Sequence, residues 1–311
     1  MAISLGKKKN NNRGIVGLDL DGEFIAAVQT SADGISRAVS AELPPGVITD
    51  GEVTDVPALS DALREFFKTH ALPRRVRLGV SNQQIVVRHL ELPKIADAEE
   101  LAVAVRFQAA EAIAMPLEEV VLDHQVIGEV VTPEGASRYR VVVVAARESM
   151  VTRVVEAVRG AGLRPEGIDL NAFALVRALT LPSDTTETSR VYCHLGGVTN
   201  LAIALGNTCL FTRPLSTAWD QEESIANALA EEIRLSIDFY MAQPEARWVG
   251  EVMLSGPGAR REGLIDELGA LIEMPISIAE PLGMLPAASL PVGEDAFRHT
   301  VATGLALGAA A

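Results

Sequence analysis

Three carboxylates that could bind a cation alternate along residues 14–27, which read GIVGLDLDGEFIAA. Asp19, Asp21 and Glu23 lie where one apolar run ends and the next begins. An Asp-Gly pair between two apolar runs predicts two strands joined by a tight turn. Carboxylates at a hairpin tip can chelate Ca²⁺, but a solvated acidic turn is the interpretation that we prefer. We therefore predict no metal site.

A second turn with residues that could do chemistry lies at 193–198, which read CHLGGV. His194 could act as a general base. No nucleophile and no orienting carboxylate can be identified beside it, so we prefer a packed or capping histidine and assign no catalytic residue. Gly196 and Gly197 could hold a phosphate through their backbone, but such a pair is more often a requirement of the turn itself.

The composition excludes several classes of protein. Of the 311 residues, 48% are hydrophobic and 4% are aromatic, which is enough for a sizeable, mostly aliphatic core. The formal net charge is −14, and a chain this acidic repels nucleic acids and anionic lipids. The only short basic cluster, residues 7–13, is interleaved with asparagines. We expect residues 1–13 to form a disordered basic tail.

Signals for membrane insertion and secretion are missing from the sequence. No apolar run reaches about 18 residues, so no transmembrane helix is expected, and no secretory signal precedes the first predicted strand. Cys193 and Cys209 lie in apolar, strand-like runs, which predicts buried thiols and no disulfide framework. These features favour a cytoplasmic location.

Strand and helix patterns alternate along the whole chain, which predicts an α/β fold. The clearest helix is 56–69, because its large apolar residues fall on one face. Two halves each open with a strand, a glycine turn and a strand: GLDLDG occurs at 17–22 and CHLGGV at 193–198. Such a duplication predicts a cleft between two domains, in which a ligand can contact both turns.

The order of these pieces resembles the PilM family, the actin-like cytoplasmic proteins of type IV pilus assembly, which are related to the division protein FtsA. The resemblance runs from residue 14 to the C-terminus. It is most specific at 92–127 (LPKIADAEELAVAVRFQAAEAIAMPLEEVVLDHQVI) and 141–179, and it continues in EEIRLSIDFY at 231–240, in 253–285, and in HTVATGLALG at 299–308.

The resemblance implies an actin-like fold, a duplicated ribonuclease H-like architecture of two domains. Its first actin-like subdomain would comprise residues 14–91 and 169–189. Residues 92–168 would form the inserted subdomain of the PilM and FtsA type, predicted as a helix, two strands and a helix. Residues 190–311 would form the second half. Its outer subdomain is expected to be reduced, since the chain passes almost directly from FTRPLS into the next predicted helix.

The resemblance also implies a nucleotide site built on three turns, and this sequence departs from the family at each turn. In the first turn Gly17 and Asp19 match, but Asp21 stands where the family has glycine and Ala26 where it has lysine or a similar residue. A side chain in place of glycine blocks close approach of a phosphate. Three carboxylates without a cation repel a triphosphate.

The other two turns depart in a similar way. His194 replaces the aspartate of the second turn, and a neutral imidazole is a poor ligand for Mg²⁺. In the third turn Pro257 interrupts the glycines and removes an N–H. We expect a vestigial nucleotide site, so that ATP and Mg²⁺, the cofactors implied by the family, are doubtful. Its residues are Asp19, Asp21, Gly22, His194, Gly196, Gly197, Ser255, Gly256 and Gly258.

Members of the family act as cytoplasmic adaptors that hold the N-terminal peptide of the inner-membrane protein PilN between the first and inserted subdomains. The resemblance therefore implies a scaffold at the inner face of the cytoplasmic membrane, with PilN-like and other pilus assembly proteins as partners, no nucleic acid, and membrane contact only through the partner. Candidate groove residues are Leu101, Val105 and Phe107, with ordinary core packing as the alternative. Peptide capture of this kind needs an apolar groove and often a free strand edge.

Three alternatives stay open. The chain could be a working actin-like ATPase that switches with Mg·ATP. It could be an FtsA-like division protein, although its C-terminal sequence VATGLALGAAA lacks the charges of an amphipathic membrane anchor. A sugar kinase of the same fold is disfavoured, because the first phosphate turn and sugar-binding motifs are missing.

Overall fold

The computed structural model describes residues 14–31, 34–132, 135–180, 187–215, 225–243, 246–279 and 293–308. The predicted disordered tail lies outside them. The strands are β1 (Ile15–Leu20), β2 (Phe24–Ser31), β3 (Gly34–Glu42), β4 (Ile48–Thr49), β5 (Glu52–Val53), β6 (Arg75–Val80), β7 (Val86–Pro93), β8 (Val120–Val131), β9 (Ser137–Arg147), β10 (Arg164–Leu170), β11 (Ser189–His194), β12 (Asn200–Leu205), β13 (Thr208–Pro214), β14 (Val249–Ser255) and β15 (Ile276–Ile278). The α-helices are α1 (Val56–Thr69), α2 (Ala98–Ala112), α3 (Glu148–Gly160), α4 (Asn171–Leu179), α5 (Ile225–Met241), α6 (Leu264–Leu271) and α7 (Thr300–Leu307).

Two five-stranded sheets have the same topology. The first has the order β10-β6-β1-β2-β3 and the second the order β13-β12-β11-β14-β15. In the first, β1 pairs antiparallel with β2 and parallel with β6. In the second, β11 pairs antiparallel with β12 and parallel with β14. The two halves of the chain therefore repeat one another, with the turns after β1 and β11 in equivalent positions.

The core of the first half lies between its sheet and the helices α1 and α3. Helix α1 has the predicted bounds, and the carboxylate of Asp55 caps it by accepting the N–H of Ala58 at 2.9 Å. Its apolar face, Leu59, Leu63, Phe66 and Phe67, is buried in the same cluster as α3 and the inner face of the first sheet. Hydrophobic burial on one face therefore fixes α1 against the sheet.

The helices α4 and α7 are exchanged between the halves. Helix α7, although it comes last, packs on β1 and β2 of the first sheet. Helix α4 packs on the second sheet, with Leu175 in one cluster with Tyr192. The two helices also cross each other closely, since a Cβ at Gly304 would lie 1.8 Å from the carbonyl oxygen of Ala174. The predicted assignment of 169–189 to the first subdomain therefore misses the packing of α4.

A buried ion pair supports this crossing. Arg177 of α4 binds the carboxylate of Asp169 at 2.8 Å, and their side chains are only 11% and 3% exposed. The same guanidinium donates to the carbonyl oxygen of Gly304 in α7 at 2.8 Å. One side chain thus connects the end of the first sheet, α4 and α7.

The inserted subdomain consists of a three-stranded antiparallel sheet, β7-β9-β8, with α2 on one face. The structure divides the chain differently from the predicted boundaries 92–168. The sheet includes β7, which begins at Val86 and ends at Pro93. A proline is tolerated at the end of an edge strand, so Pro93 belongs to the strand and does not mark a boundary before it. At the other end, α3 packs on α1 and β10 belongs to the first sheet. The inserted unit is therefore 86–147.

Within the residues that the structure describes, no helix has the length and apolar character needed to cross a membrane.

Candidate functional site

The turn after β1 touches the turn after β11 across the cleft between the two sheets. The carboxylate of Asp21 accepts a hydrogen bond from the backbone N–H of Gly197 at 2.8 Å. A Cβ at Gly197 would lie 2.0 Å from the carbonyl oxygen of Asp21, and one at Gly196 would lie 2.3 Å from its Oδ2. Gly22, in the first turn, has a φ of +115°, which favours glycine. Because a side chain at Gly196 or Gly197 would overlap Asp21, these two glycines allow the close contact between the halves.

The two aspartates of the first turn are buried. Asp19 is 1% exposed and Asp21 is 9% exposed. Burial, and after it the charge of Asp21, holds the pKa of Asp19 well above its usual range. Burial also raises the pKa of Asp21 to about 7, although the hydrogen bond from Gly197 opposes this shift. Among the described residues, neither carboxylate lies within ion-pairing distance of Lys or Arg. This site repels anions when its carboxylates are ionised.

His194 is buried at the bottom of the second turn. Its Nδ1 lies 3.1 Å from the hydroxyl of Ser255, and its Nε2 has no hydrogen-bond partner among the described residues. Burial lowers the pKa of His194 to about 4, so the ring is neutral at neutral pH. The third turn adjoins it: Gly256 has a φ of +84°, and Gly258 donates its N–H to the carbonyl oxygen of Leu195 at 3.0 Å. The imidazole thus fills space between two turns.

The structure brings together residues from all three predicted turns, but it leaves little room between them. The cleft cavity lined by Asp21, Ser81, Asn171 and Val198 measures about 20 Å³, which is enough for about one water molecule. Ligand pockets are about 300–1,000 Å³. The site holds two buried carboxylates and, within the part of the chain that the structure describes, no basic side chain to pair with a phosphate, and its first two turns are in direct contact. These residues therefore do not fit Mg·ATP.

A larger depression lies beside the segment that follows the third turn. It measures about 630 Å³ and is lined in part by Arg260, Arg261 and Phe297. None of its lining residues belongs to the first two turns, which in an active site of this architecture would hold the phosphates. This depression therefore does not provide a binding site for a triphosphate.

Two polar residues of the cleft were not singled out from the sequence. Asn171, at the start of α4, places its Nδ2 3.5 Å from Asp19 Oδ1. Ser81, at the end of β6, donates to Asn200 Oδ1 at 2.6 Å and so connects the first sheet to the second. Ser81 could have been found from its position directly after an apolar strand, where side chains at the ends of parallel strands meet. Asn171 follows β10, whose sequence does not have a clear strand pattern.

The predicted groove residues do not lie on one surface. Leu101 and Val105 are 8% and 0% exposed and pack under α2 against the sheet of the insertion. Phe107 is 75% exposed, because it lies roughly 200° around the helix from Val105. The three candidate groove residues therefore do not share one surface in the structure, and core packing, the alternative interpretation, accounts for the first two.

Comparison with known proteins gives a match over most of the chain. The family model described as type IV pilus assembly protein PilM matches residues 17–221. A solved structure described as a PilM-PilN type IV pilus biogenesis complex has 24% identity and a TM-score of 0.82, and the match covers 94% of this chain and 98% of that one.

More distant solved structures share the architecture. The ethanolamine utilization protein EutJ from Carboxydothermus hydrogenoformans has 12% identity and a TM-score of 0.52, covering 94% of this chain and 88% of its own. MreB5 of Spiroplasma citri bound to ADP has 11% identity and a TM-score of 0.51, covering 86% and 92%. At these identities the likenesses establish the fold, and they confirm the predicted actin-like architecture of two halves.

Proposed function

We propose that this chain, which belongs to the family of the type IV pilus assembly protein PilM, is a scaffold for assembly of a type IV pilus or a related secretion or competence system. It binds the N-terminal peptide of a PilN-like inner-membrane protein and does so without hydrolysing ATP. It acts at the inner face of the cytoplasmic membrane, which it reaches only through this partner, and it contacts other pilus assembly proteins but no nucleic acid.

The observation that carries the nucleotide-independent part of the proposal is the contact between Asp21 and Gly197. In an ATPase of this architecture the two turns face each other across the phosphates. Here the side chain of one turn is hydrogen-bonded to the backbone of the other at 2.8 Å. To admit a triphosphate, the halves would have to separate and a buried carboxylate would have to face further negative charge, which is unfavourable at low dielectric.

The fold match supports the choice of partner. The solved structure that this chain resembles over 94% of its length is described as a complex of PilM with PilN. The inserted sheet of this chain also offers suitable edges, because β7 and β8 are its two outer strands. An extended peptide can pair with such an edge through its main chain and place alternate side chains in apolar pockets.

In place of the groove predicted from the sequence, we propose that the peptide binds at a small, mostly apolar cavity at the base of the insertion, which we call the peptide channel. Its lining includes Ile85, just before the insertion, and Val87 of β7. Further apolar lining comes from Val80 and Leu170 of the first sheet and from Pro214 of the second half. The cavity measures about 20 Å³, so a peptide side chain would enter by displacing Ile85 or Val87. This is where we expect the partner peptide to contact both the first half and the insertion.

Fluorescence anisotropy with a labelled peptide of about ten residues, from the N-terminus of the PilN-like protein, tests the proposal. We expect binding that is the same with and without millimolar Mg·ATP. Ile85→Gln should weaken binding at least about tenfold, whereas the control Val131→Gln, on the exposed end of β8, should not. Circular dichroism melts establish that each variant is folded. Binding that needs nucleotide would contradict the proposal.

Thermal unfolding separates this function from that of an ATP-driven switch. A nucleotide that binds the folded chain at a hundred times its Kd stabilises it by about 2.7 kcal/mol. We expect no shift of the melting temperature with millimolar Mg·ATP. A clear shift would favour the alternative of a working ATPase, even if the peptide still bound.

A further inference from the structure

Helix α2 is apolar on two opposite sides. Its inner side, with Val105 and Ala109, is completely buried against the inserted sheet. On its outer side Val103 is 71% exposed and Phe107 is 75% exposed. These residues are four apart and so lie next to each other on the helix surface, where the exposed Ala110 extends the row. We call Val103, Phe107 and Ala110 the outer stripe.

The position of α2 makes the outer stripe accessible. The inserted sheet has α2 on one face, and its other face, with Val142 and Val144, belongs to the core that contains α1 and α3. Helix α2 is therefore the outermost layer of this part of the molecule. A contiguous exposed apolar row on such a helix indicates a contact surface.

The charges around the outer stripe are mainly negative. Glu99, Glu100 and Glu111 are exposed on α2, and within the described part of the chain none of them is in an ion pair. The only basic residue on the helix is Arg106, whose guanidinium donates to the carbonyl oxygen of Leu117. A partner that covers the stripe would therefore meet unpaired carboxylates at its edge.

We propose that the outer stripe docks an amphipathic helix of another protein, with Lys or Arg residues beside its apolar face. Apolar side chains of this helix would cover Phe107 and Val103, and its cations would pair with the glutamates, as in helix-to-helix recognition. A second copy of the chain fits less well because it would bring acidic edges together. An anionic membrane would be repelled for the same reason.

This surface is separate from the peptide channel proposed above. The channel is lined by Ile85 and Val87 at the base of the insertion, whereas the outer stripe lies on the solvent side of α2. A chain with both surfaces would hold two partners at once, which is what an assembly scaffold requires.

Photo-crosslinking in the host cell tests the proposal. The photoreactive residue p-benzoylphenylalanine is placed at Phe107 of the full chain, and the cross-linked segment is identified by mass spectrometry. The control position is Phe239 on α5, which is 63% exposed. We expect a cross-link from Phe107, and not from Phe239, to a segment of another protein that has helical apolar spacing and net positive charge.

Binding measurements then test the stripe itself. The identified segment, made as a synthetic peptide, should bind the purified chain at least about tenfold more weakly after Val103→Gln with Phe107→Gln. Glu100→Gln with Glu111→Gln should weaken binding and reduce its salt dependence, because two charge pairs are removed. Both double variants replace exposed residues by good helix formers and should remain folded.

Several outcomes would overturn the proposal. These are a cross-link to a second copy, to lipid or to an acidic segment, no cross-link above the Phe239 control, or affinity that the glutamate changes do not alter. If Val103→Gln with Phe107→Gln abolishes binding of the PilN-like peptide, the stripe belongs to that peptide and a separate partner is refuted. If the PilN-like peptide does not bind the unchanged chain, the proposed function is refuted, but the proposal for the outer stripe is not.

Discussion

Replacing Asp21 by asparagine should stabilise the chain at pH 8 and change little near pH 4. Asparagine has almost the same shape, and its Oδ1 can still accept the N–H of Gly197, which lies 2.8 Å from the carboxylate. It cannot carry the negative charge that aspartate holds at high pH in a site only 9% exposed. The substitution thus keeps the contact across the cleft and removes the buried charge.

The size and sign of the effect follow from the pKa. Burial raises the pKa of Asp21 from 3.8 to about 7 in the folded chain. Between these pH values the folded chain binds more protons than the unfolded chain, so the free energy of unfolding falls as the pH rises through this window. The part of this loss that comes from Asp21 is on the order of 4 kcal/mol. Asp21→Asn should recover most of it at pH 8.

Urea unfolding followed by circular dichroism from pH 4.5 to pH 8 measures this effect. The unchanged chain should lose stability with rising pH, and Asp21→Asn should lose less. The pH dependence that remains in the variant comes from Asp19, whose pKa is also raised, first of all by burial. Glu23→Gln is the matched control, since Glu23 is exposed in the same turn, and it should change stability by no more than about 0.5 kcal/mol. If Asp21→Asn were as pH-dependent as the unchanged chain, or less stable at pH 8, the account of the buried carboxylate would be refuted.

Three other experiments test different parts of the structure. Gly304→Ala should lower the free energy of unfolding by about 3 kcal/mol, because no space exists for a methyl group at the helix crossing. The control Gly269→Ala in α6, where a Cβ meets nothing within 4 Å, should raise it by about 1 kcal/mol. Urea unfolding measures both. Arg177→Met should cost about 3–5 kcal/mol, since it leaves the buried Asp169 without its cation, and Arg177→Met with Asp169→Asn should recover part of this loss. Cys193, whose pKa is raised by burial to about 12, should react with Ellman's reagent at pH 8 only after urea unfolds the chain.

The sequence was informative wherever one local pattern decided the structure. Helix α1 has its predicted bounds because Asp55 caps it and four apolar side chains share one face. The hairpin at the start of each half was visible in its glycine turn. The actin-like fold followed from the resemblance of this order to the PilM family.

Strand β10 was missed for a local reason. It contains Pro165 and Gly167, and its pairing with β6 shifts register between them. Both residues weaken a strand pattern, so this segment resembled a loop. The boundaries of the insertion were misplaced for the same kind of reason, since Pro93 suggested a break where the structure has the end of an edge strand.

The contact across the cleft could not have been predicted from local patterns. It depends on how the two halves sit against each other, which brings together residues 176 positions apart in the chain. The sequence indicated that Asp21 and His194 stand where the family has other residues. It did not indicate that the Asp21 carboxylate would bind Gly197, or that the His194 ring would be buried beside Ser255.

The exchange of α4 and α7 imposes an order on biosynthesis. Strand β1 is synthesised long before α7, the helix that covers it. The two pack closely, since a Cβ at Gly17 of β1 would lie 2.1 Å from the carbonyl oxygen of Ala302 in α7. Until α7 is present, one face of the first sheet is open to water and prone to aggregation. Contacts between such distant parts of a chain also slow folding. The first sheet can therefore complete its packing only after α7 has been synthesised.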